Sequence, residues 1–151
     1  MRGGVLSLHV LAALLAVGPV AVAASMFPPT LRRALAGPAD AEGTARTTLR
    51  TLHRICRVYA GIGAAVPLFG FATAGSLGVL GDGWLIASIV LTAGAAALLA
   101  LLILPAQDRA LDGDPNPVAP GRLAMLTGVF NLLWAAVTVL MIIRPGSTTG
   151  A

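Results

Sequence analysis

The sequence has few of the residues that soluble proteins place at their surface. It contains no lysine, and only 11% of its 151 residues are charged, whereas 57% are hydrophobic. This composition supplies too little polar surface to cover a soluble globule of this size. We therefore expect a membrane protein, whose outer surface is apolar because it faces lipid.

Cysteine and histidine are equally scarce. Cys56 is the one cysteine, which excludes an intramolecular disulfide and a cysteine-based zinc site. His9 and His53 are the two histidines, and they lie in different segments of the chain. No serine, cysteine or carboxylate follows a base at a recognisable catalytic spacing. The sequence therefore predicts no catalytic residue and no metal ligand, and we do not expect an enzyme.

Four stretches are long and apolar enough to cross a hydrocarbon layer about 30 Å thick, which takes roughly 20 residues. They cover residues 4–26, 56–77, 84–104 and 123–143. Two connections, 27–55 and 105–122, are polar and rich in proline and glycine, and residues 78–83 form a tight turn. The predicted fold class is all-α: an antiparallel four-helix transmembrane bundle that forms a single domain over residues 1–151.

The ten basic residues, all arginine, are distributed unequally along the chain. Eight lie in or beside the 27–55 and 105–122 connections, which an antiparallel four-helix bundle places on the same side of the membrane. Only Arg2 and Arg144 lie near the termini, on the other side. Because arginine favours the cytoplasmic face, we expect both connections in the cytoplasm and both termini outside the cell membrane. The alternative is a cleaved signal peptide over the first apolar run, which would place the first connection outside.

Helical periodicity predicts which faces point into the bundle, because small residues let helices approach closely in lipid. The predicted inward faces are His9, Ala12, Ala13, Ala16 and Ala23 on the first helix, Cys56, Ala60, Gly63, Pro67, Gly70 and Ala74 on the second, Ser88, Thr92 and Ala95 on the third, and Ala124, Thr127, Gly128, Asn131, Ala135 and Thr138 on the fourth. Large residues on the opposite faces, such as Leu11, Leu133 and Val137, are expected to meet lipid.

Four of these inward residues form a candidate intramembrane polar site: His9, Thr127, Asn131 and Thr138. An ionisable group within the hydrocarbon is a functional hypothesis by default. For His9, we weigh a structural hydrogen bond against haem ligation or proton handling. For Asn131, we weigh a hydrogen bond between helices against substrate binding. The structural interpretation is favoured for both, so no cofactor is expected, and haem is the alternative.

A basic stripe precedes the second predicted span, on a helix that we expect to begin near Thr44. It consists of Arg46, Arg50, His53, Arg54 and Arg57. Leu49 and Leu52 fall on the opposite side, so the arginines are expected to face outward and contact anionic lipid headgroups. An acidic protein partner is the alternative. Nucleic acid is not expected, because the arginines border apolar segments and do not form a soluble basic domain.

Three stretches resemble a known family: LHVLAALLAVGP, RICRVYAGIGAAVPLFGFA, and the third helix from Trp84 to LILPA. Together they resemble a family of uncharacterised bacterial four-helix integral membrane proteins, described as a domain of unknown function. The resemblance implies fold and membrane location, and no activity. More distantly, His9 near the start of the first helix is similar to the pattern in small haem- or copper-associated membrane domains.

The sequence thus predicts a small polytopic membrane protein with a structural or accessory role. Its expected partners are the lipid bilayer with anionic headgroups and either another membrane protein or a second copy of the chain. One alternative is a haem-binding or redox-associated protein that uses His9. A second is a small transporter or pore subunit that uses Thr127, Asn131 and Thr138.

Overall fold

The computed structural model describes residues 2–78 and 80–146, with the side chains of all of these except 2–8, 39–41, 68–69, 72–73 and 76–77. Within these residues every regular element is a helix, which confirms the predicted all-α class. The elements are α1 (Arg2–Ala36), α2 (Ala39–Leu77), α3 (Gly83–Leu98), a π-helical segment (Leu99–Ile103), α4 (Leu104–Asp112) and α5 (Pro120–Ile143). Because α3, the π-helical segment and α4 follow one another without a break, the described part of the chain forms four helical rods.

Three of the rods contain segments long and apolar enough to cross a membrane. These segments are His9–Ala36, Gly83–Asp112 and Pro120–Ile143. They contain or overlap the first, third and fourth predicted spans, although the side chains of residues 4–8 lie outside the described set. The second predicted span, 56–77, is the second half of α2, and several of its side chains also lie outside that set.

The proline pair Pro28–Pro29 does not end α1, so most of the predicted connection over residues 27–55 is helical. α1 continues to Ala36, and only two residues separate it from α2. A proline inside a helix removes a hydrogen bond and clashes with the preceding turn, at a cost of about 3 kcal/mol. Here Phe27 and Pro28 are fully buried, and their packing offsets that cost.

α2 begins at Ala39, five residues before the predicted cap at Thr44. Pro38 precedes it in an extended conformation with ψ at 158°, from which the chain turns directly into the helix. Ala39 and Glu42 favour helix. The Thr48 hydroxyl donates back to the Thr44 carbonyl over 3.0 Å, so these threonines lie within the helix and do not cap it.

The predicted connection over 105–122 is also partly helical, because α4 extends to Asp112 and α5 begins at Pro120. The rod passes Pro105 by widening into the π-helical segment, where the Leu104 N–H bonds to the Leu99 carbonyl five residues earlier. The wider turn accommodates a proline that lacks an N–H and crowds the preceding turn. It also shifts the register of every later side chain in α4.

Helix packing places one apolar core between the rods. α1 packs along α2 and against α5, α5 also packs against α3, and α4 packs against α2. The core residues are Val20, Ala23, Ala24, Phe27 and Leu31 from α1, Leu49, Leu52 and Cys56 from α2, Ala95, Leu99, Ile103 and Ala106 from the third rod, and Leu123 and Phe130 from α5. Many other large apolar side chains are exposed, including Leu15, Leu101 and Leu132 at 71–72%.

The predicted inward faces of the first three rods are largely confirmed. On α1, Ala16 and Ala23 are buried, whereas Leu11 is 56% exposed; Ala12 is exposed, against the prediction. Cys56 and Ala74 are buried on α2, and the residues between them on the same face are half-buried. On α3, Ser88 and Ala95 are buried.

The predicted inward face of α5 is mostly wrong. Val137, which we expected to meet lipid, is 1% exposed, and Leu123 and Phe130 are also buried. The exposed residues include three that we expected to point inward: Ala124, Gly128 and Ala135. α5 fills the space between α1 and α3, and large side chains occupy that space better than small ones. Thr127 alone among the predicted inward residues is fully within the interface.

Candidate functional site

A buried group of polar side chains joins α2 to α4, and we call it the α2–α4 polar cluster. It consists of His53 and Cys56 from α2 and Gln107 and Asp108 from α4. Gln107 and Cys56 are 0% exposed, and His53 is 7% exposed. His53 and Cys56 are three residues apart and therefore share a helix face.

Gln107 bridges the imidazole and the thiol. Its Oε1 atom lies 2.9 Å from His53 Nδ1, and because a carbonyl oxygen only accepts, Nδ1 carries the donated proton. Its Nε2 atom donates to Cys56 Sγ over 3.8 Å. A buried amide is costly unless its donor and acceptor are both engaged. The bridge therefore stabilises this arrangement of α2 against α4.

Asp108 completes the cluster at its exposed edge. Its Oδ1 atom lies 2.8 Å from His53 Nε2, and half of the Asp108 side-chain surface is accessible. The carboxylate oxygen lies off the direction of a hydrogen bond from Nε2, so the contact is electrostatic. Such a pair attracts only when the ring is positively charged, and its exposed carboxylate limits its strength.

The position of His53 corrects the predicted basic stripe. Arg46, Arg50, Arg54 and Arg57 are exposed, as the helical periodicity predicted, and Leu49 is buried on the opposite side. His53, which we had placed with the arginines, instead points into the interface with α4. An imidazole at the edge of the stripe can point outward with the arginines or inward toward α4. The hydrogen bond to Gln107 stabilises the inward orientation.

The α2–α4 polar cluster is suited to holding helices together. Cys56 contacts the Gln107 amide and is fully buried, so its thiol lacks the access that a reactive cysteine requires. Across the described residues, no three histidine, cysteine or acidic side chains are grouped to hold a metal ion. The described contacts of the cluster are all between helices.

A second polar contact lies between α1 and α5, where the prolines interrupt the hydrogen bonds of α1. Pro28 has no N–H, so it leaves the Ala24 carbonyl without its usual partner four residues later. The Thr127 hydroxyl from α5 donates to that carbonyl over a long 3.5 Å. Asn131, one turn further along α5, donates from Nδ2 to Ser25 Oγ over 3.0 Å.

Some polar side-chain groups of α5 form hydrogen bonds, and others do not. Thr138 Oγ1 donates within its own helix to the Trp134 carbonyl over 2.8 Å. Asn131 Oδ1 and Trp134 Nε1 are buried without a hydrogen-bond partner among the described residues. The predicted interhelical hydrogen bond of Asn131 is therefore present through one of its two polar atoms.

The four residues of the candidate intramembrane polar site do not meet at one place. Thr127 and Asn131 contact residues 24 and 25 of α1. His9 lies fifteen residues earlier on the same helix, about 22 Å away along its axis. Its ring packs against α2, where a Cβ atom added at Gly70 would lie 3.5 Å from His9 Cε1. This contact agrees with the prediction that His9 points into the bundle.

Three side chains meet at the opposite end of the rods from the α2–α4 polar cluster. Trp84 Nε1 donates to Asp82 Oδ2 over 3.1 Å. The Arg144 guanidinium carbon lies 5.4 Å from the centre of the Trp84 ring, within the range of a cation–π interaction. Asp82 therefore accepts a hydrogen bond in the turn before α3.

Sequence reasoning missed Gln107, Asp108 and Ser25 as parts of these contacts. Two features of the sequence point to a contact of Gln107 with α2. Gln107 is a neutral amide just after the apolar run that ends at Pro105, and polar His53 and Cys56 share one face of α2. Because the π-helical segment shifts the helix register before Gln107, counting 100° per residue does not place Gln107 on the face that meets His53 and Cys56.

No family model matches the chain, and neither curated proteins nor solved structures show a significant match.

Proposed function

We propose that this chain is an integral protein of the cytoplasmic membrane that crosses the bilayer four times as an antiparallel bundle. The observation that carries the proposal is that exposed apolar side chains and exposed charged side chains lie on different parts of the protein surface. Large apolar side chains such as Leu15 and Leu101 cover the outside of the rods, each 71% exposed. Water would disfavour that surface strongly, whereas acyl chains match it.

The arginines favour one orientation. Arg46, Arg50, Arg54 and Arg57 are exposed on the first half of α2, before its apolar second half. In this orientation they lie at the cytoplasmic surface, where anionic headgroups attract them. The termini then lie outside the cell, and the Asp82–Trp84–Arg144 group lies at the outer interface, where tryptophan is enriched.

We propose a structural or accessory role within the membrane. The buried polar groups that could serve chemistry are mostly engaged in contacts between helices: His53 with Gln107, Thr127 with Ala24, and Asn131 with Ser25. Interhelical hydrogen bonds of this kind contribute about 1 kcal/mol each in membranes. They fix the rods relative to one another and so present a defined surface to a second membrane protein or a second copy.

The experiment is purification of the full chain from its own membrane in mild detergent after cross-linking. The accessory proposal predicts a stable complex of defined mass and no Soret absorption. A stoichiometric Soret band that is lost in His9→Ala would contradict it in favour of haem binding. Solute flux in proteoliposomes that Asn131→Leu abolishes, with the helical content unchanged, would contradict it in favour of transport.

A further inference from the structure

Two columns of opposite charge lie side by side where α2 packs against α4. The arginine column consists of Arg50 and Arg54 on α2, and the aspartate column consists of Asp108 and Asp112 on α4. At 100° per residue, the two members of each column are about 40° apart around their helix. Asp108 is partly exposed and the other three are exposed, so both columns are open to the surroundings of the protein.

The contacts of His53 show that the two columns border the same outer edge of the α2–α4 contact. Its Nε2 atom lies 2.8 Å from Asp108 Oδ1, so the aspartate column begins at this side of α2. Around α2, Arg50 and Arg54 lie about 60° and 100° from His53 in one direction. Tyr59, which lines the outer surface between α1 and α2, lies about 120° from His53 in the other direction. The arginine column is therefore on the α4 side of α2, away from α1.

The columns do not neutralise each other within one chain. Across the side chains that the structure describes, the ion contact is that of His53 with Asp108, and no carboxylate pairs with the arginine column. A face with a positive column beside a negative one is complementary to its own copy. A two-fold rotation places the arginine column of each copy opposite the aspartate column of the other.

The depths of the charged residues in the membrane also match. A two-fold axis along the membrane normal keeps every residue of both copies at its own depth. The contact between His53 and Asp108 sets α2 and α4 level at that point. At 1.5 Å per residue along two antiparallel helices, Arg54 then lies within about 2 Å of the depth of Asp108. By the same count, Arg50 lies within about 2 Å of the depth of Asp112.

Below the charged columns, the same face consists of small residues. Gly61 and Ala64 continue the arginine column along α2, and both are exposed. A Cβ atom added at Gly61 would meet nothing within 4 Å. On the third rod, exposed Ala100 directly follows a core residue, as Asp108 does, so both lie on the same side of the core. Small residues in these places let two copies approach closely within lipid.

We propose that the chain forms a two-fold symmetric homodimer through this face, with both copies in the same orientation. Arg50 and Arg54 of each copy pair with Asp112 and Asp108 of the other, and the α2 helix of each copy packs on the third rod of the other. The interface names a second copy as the partner in the accessory role, and it rests on the membrane orientation proposed above. Exposed ion pairs are individually weak, so the charges fix the register while the small residues supply the packing.

Energy transfer between donor- and acceptor-labelled chains in phosphatidylcholine vesicles, which lack competing anionic headgroups, tests the proposal. The label is attached to Cys56→Ala/Glu42→Cys, at an exposed position. Arg50→Asp opposes two carboxylates at each of two symmetric contacts, so it should raise the dissociation constant of the dimer at least about tenfold. Adding Asp112→Arg to that variant restores the pairs and should restore the dimer. Arg33→Asp makes the same change of charge at an exposed position on α1 and should leave the dimer unchanged.

Disulfide formation between differently tagged chains maps the interface. In the Cys56→Ala background, Gly61→Cys in one chain should cross-link to Ala100→Cys in the other. Leu132→Cys, exposed on α5, is the control partner and should not cross-link to Gly61→Cys.

Three results would overturn the interface. The first is a chain that stays monomeric at every density in the vesicles; if it also purifies with a different protein, the accessory role stands and the homodimer does not. The second is a dimer that Arg50→Asp leaves intact, which assigns the arginines to lipid headgroups alone. The third is a dimer that Arg50→Asp separates and added Asp112→Arg does not restore. Circular dichroism of each variant checks its folding, and labelling of the loops tests membrane orientation separately.

Discussion

The His53 Nδ1 atom on α2 and the Gln107 Oε1 atom on α4 lie 2.9 Å apart inside the protein. Gln107 is fully buried, and its amide also donates to Cys56. This hydrogen bond joins α2 to α4, the helix that follows the π-helical segment. The buried hydrogen bonds of Gln107 therefore contribute to the packing of α4 against α2.

Replacing one partner of this contact should destabilise the protein. In His53→Leu, the buried Gln107 carbonyl loses its donor, at a cost of about 1–3 kcal/mol. Cys56 lies beneath the contact and is the one cysteine, so its rate of maleimide labelling in detergent should rise as α4 separates from α2. Arg54→Leu, at an exposed neighbouring position, is the control and should leave the rate unchanged.

The double variant His53→Leu/Gln107→Leu sharpens that prediction. Because both polar groups are removed together, neither leaves the other unpaired, and the one buried atom that loses a contact is the weakly accepting Cys56 sulfur. Its melting temperature should therefore lie closer to that of the unaltered protein than either single variant does. A double variant whose loss equals the sum of the two single losses would show that the two side chains do not act as a pair.

Thr127 should matter because Pro28 leaves the Ala24 carbonyl without its partner. Thr127→Val keeps the shape and removes the hydroxyl, which should cost about 1 kcal/mol. In a Pro28→Ala background the helix can supply its own N–H to that carbonyl, so the same change should cost less. A cycle of these variants, measured by denaturation in mixed micelles, should give a coupling of at least about 0.5 kcal/mol. Equal costs in both backgrounds would contradict the compensation.

Ser25 and Asn131 should respond unequally to substitution. Ser25→Ala leaves the Asn131 amide with neither its Nδ2 acceptor nor a partner for Oδ1, whereas Asn131→Leu removes the entire amide. Since unpaired polar groups in an apolar setting are costly, Ser25→Ala should destabilise more than Asn131→Leu. Melting temperatures of the two variants check this order. The reverse order would indicate that Asn131 makes a further contact.

Two glycines should respond in opposite directions to alanine. Gly78 ends α2 with φ at +69°, a conformation that alanine adopts at a cost of about 1–2 kcal/mol. Gly128 lies within α5, where an added Cβ atom would meet open space. Gly128→Ala should therefore stabilise the protein by about 0.5–1 kcal/mol, while Gly78→Ala destabilises it. Thermal unfolding of both variants separates the two effects from any general response to alanine.

Periodicity predicts those parts of the fold in which one face of a helix is chemically different from the other. The burial of Ala16 and Ala23 against exposed Leu11, and of Leu49 against exposed Arg50, follows from counting 100° per residue. The helix-ending signals of Pro28 and Pro29 misled the prediction, because burial of Phe27 and Pro28 outweighs a local preference.

The remaining features depend on contacts between distant segments. Large apolar side chains lie on every side of α5, so its sequence does not reveal that Leu123, Phe130 and Val137 form the inner face. Which face points inward is determined by how α5 packs into the space between α1 and α3. The direction of His53 likewise depends on Gln107, which lies 54 residues later and follows a register shift. Such pairings arise from packing and leave no periodic signal.

The most direct test of the membrane arrangement is thiol labelling of single cysteines in intact cells. Cys56→Ala supplies a cysteine-free background, into which Glu42→Cys and Leu80→Cys are introduced separately at exposed positions. With a membrane-impermeant maleimide, we predict that position 80 is labelled in intact cells and that position 42 is labelled only after lysis. Labelling of position 42 in intact cells, with position 80 protected until lysis, would contradict the orientation, and labelling of both before lysis would contradict a bundle that crosses the membrane between them.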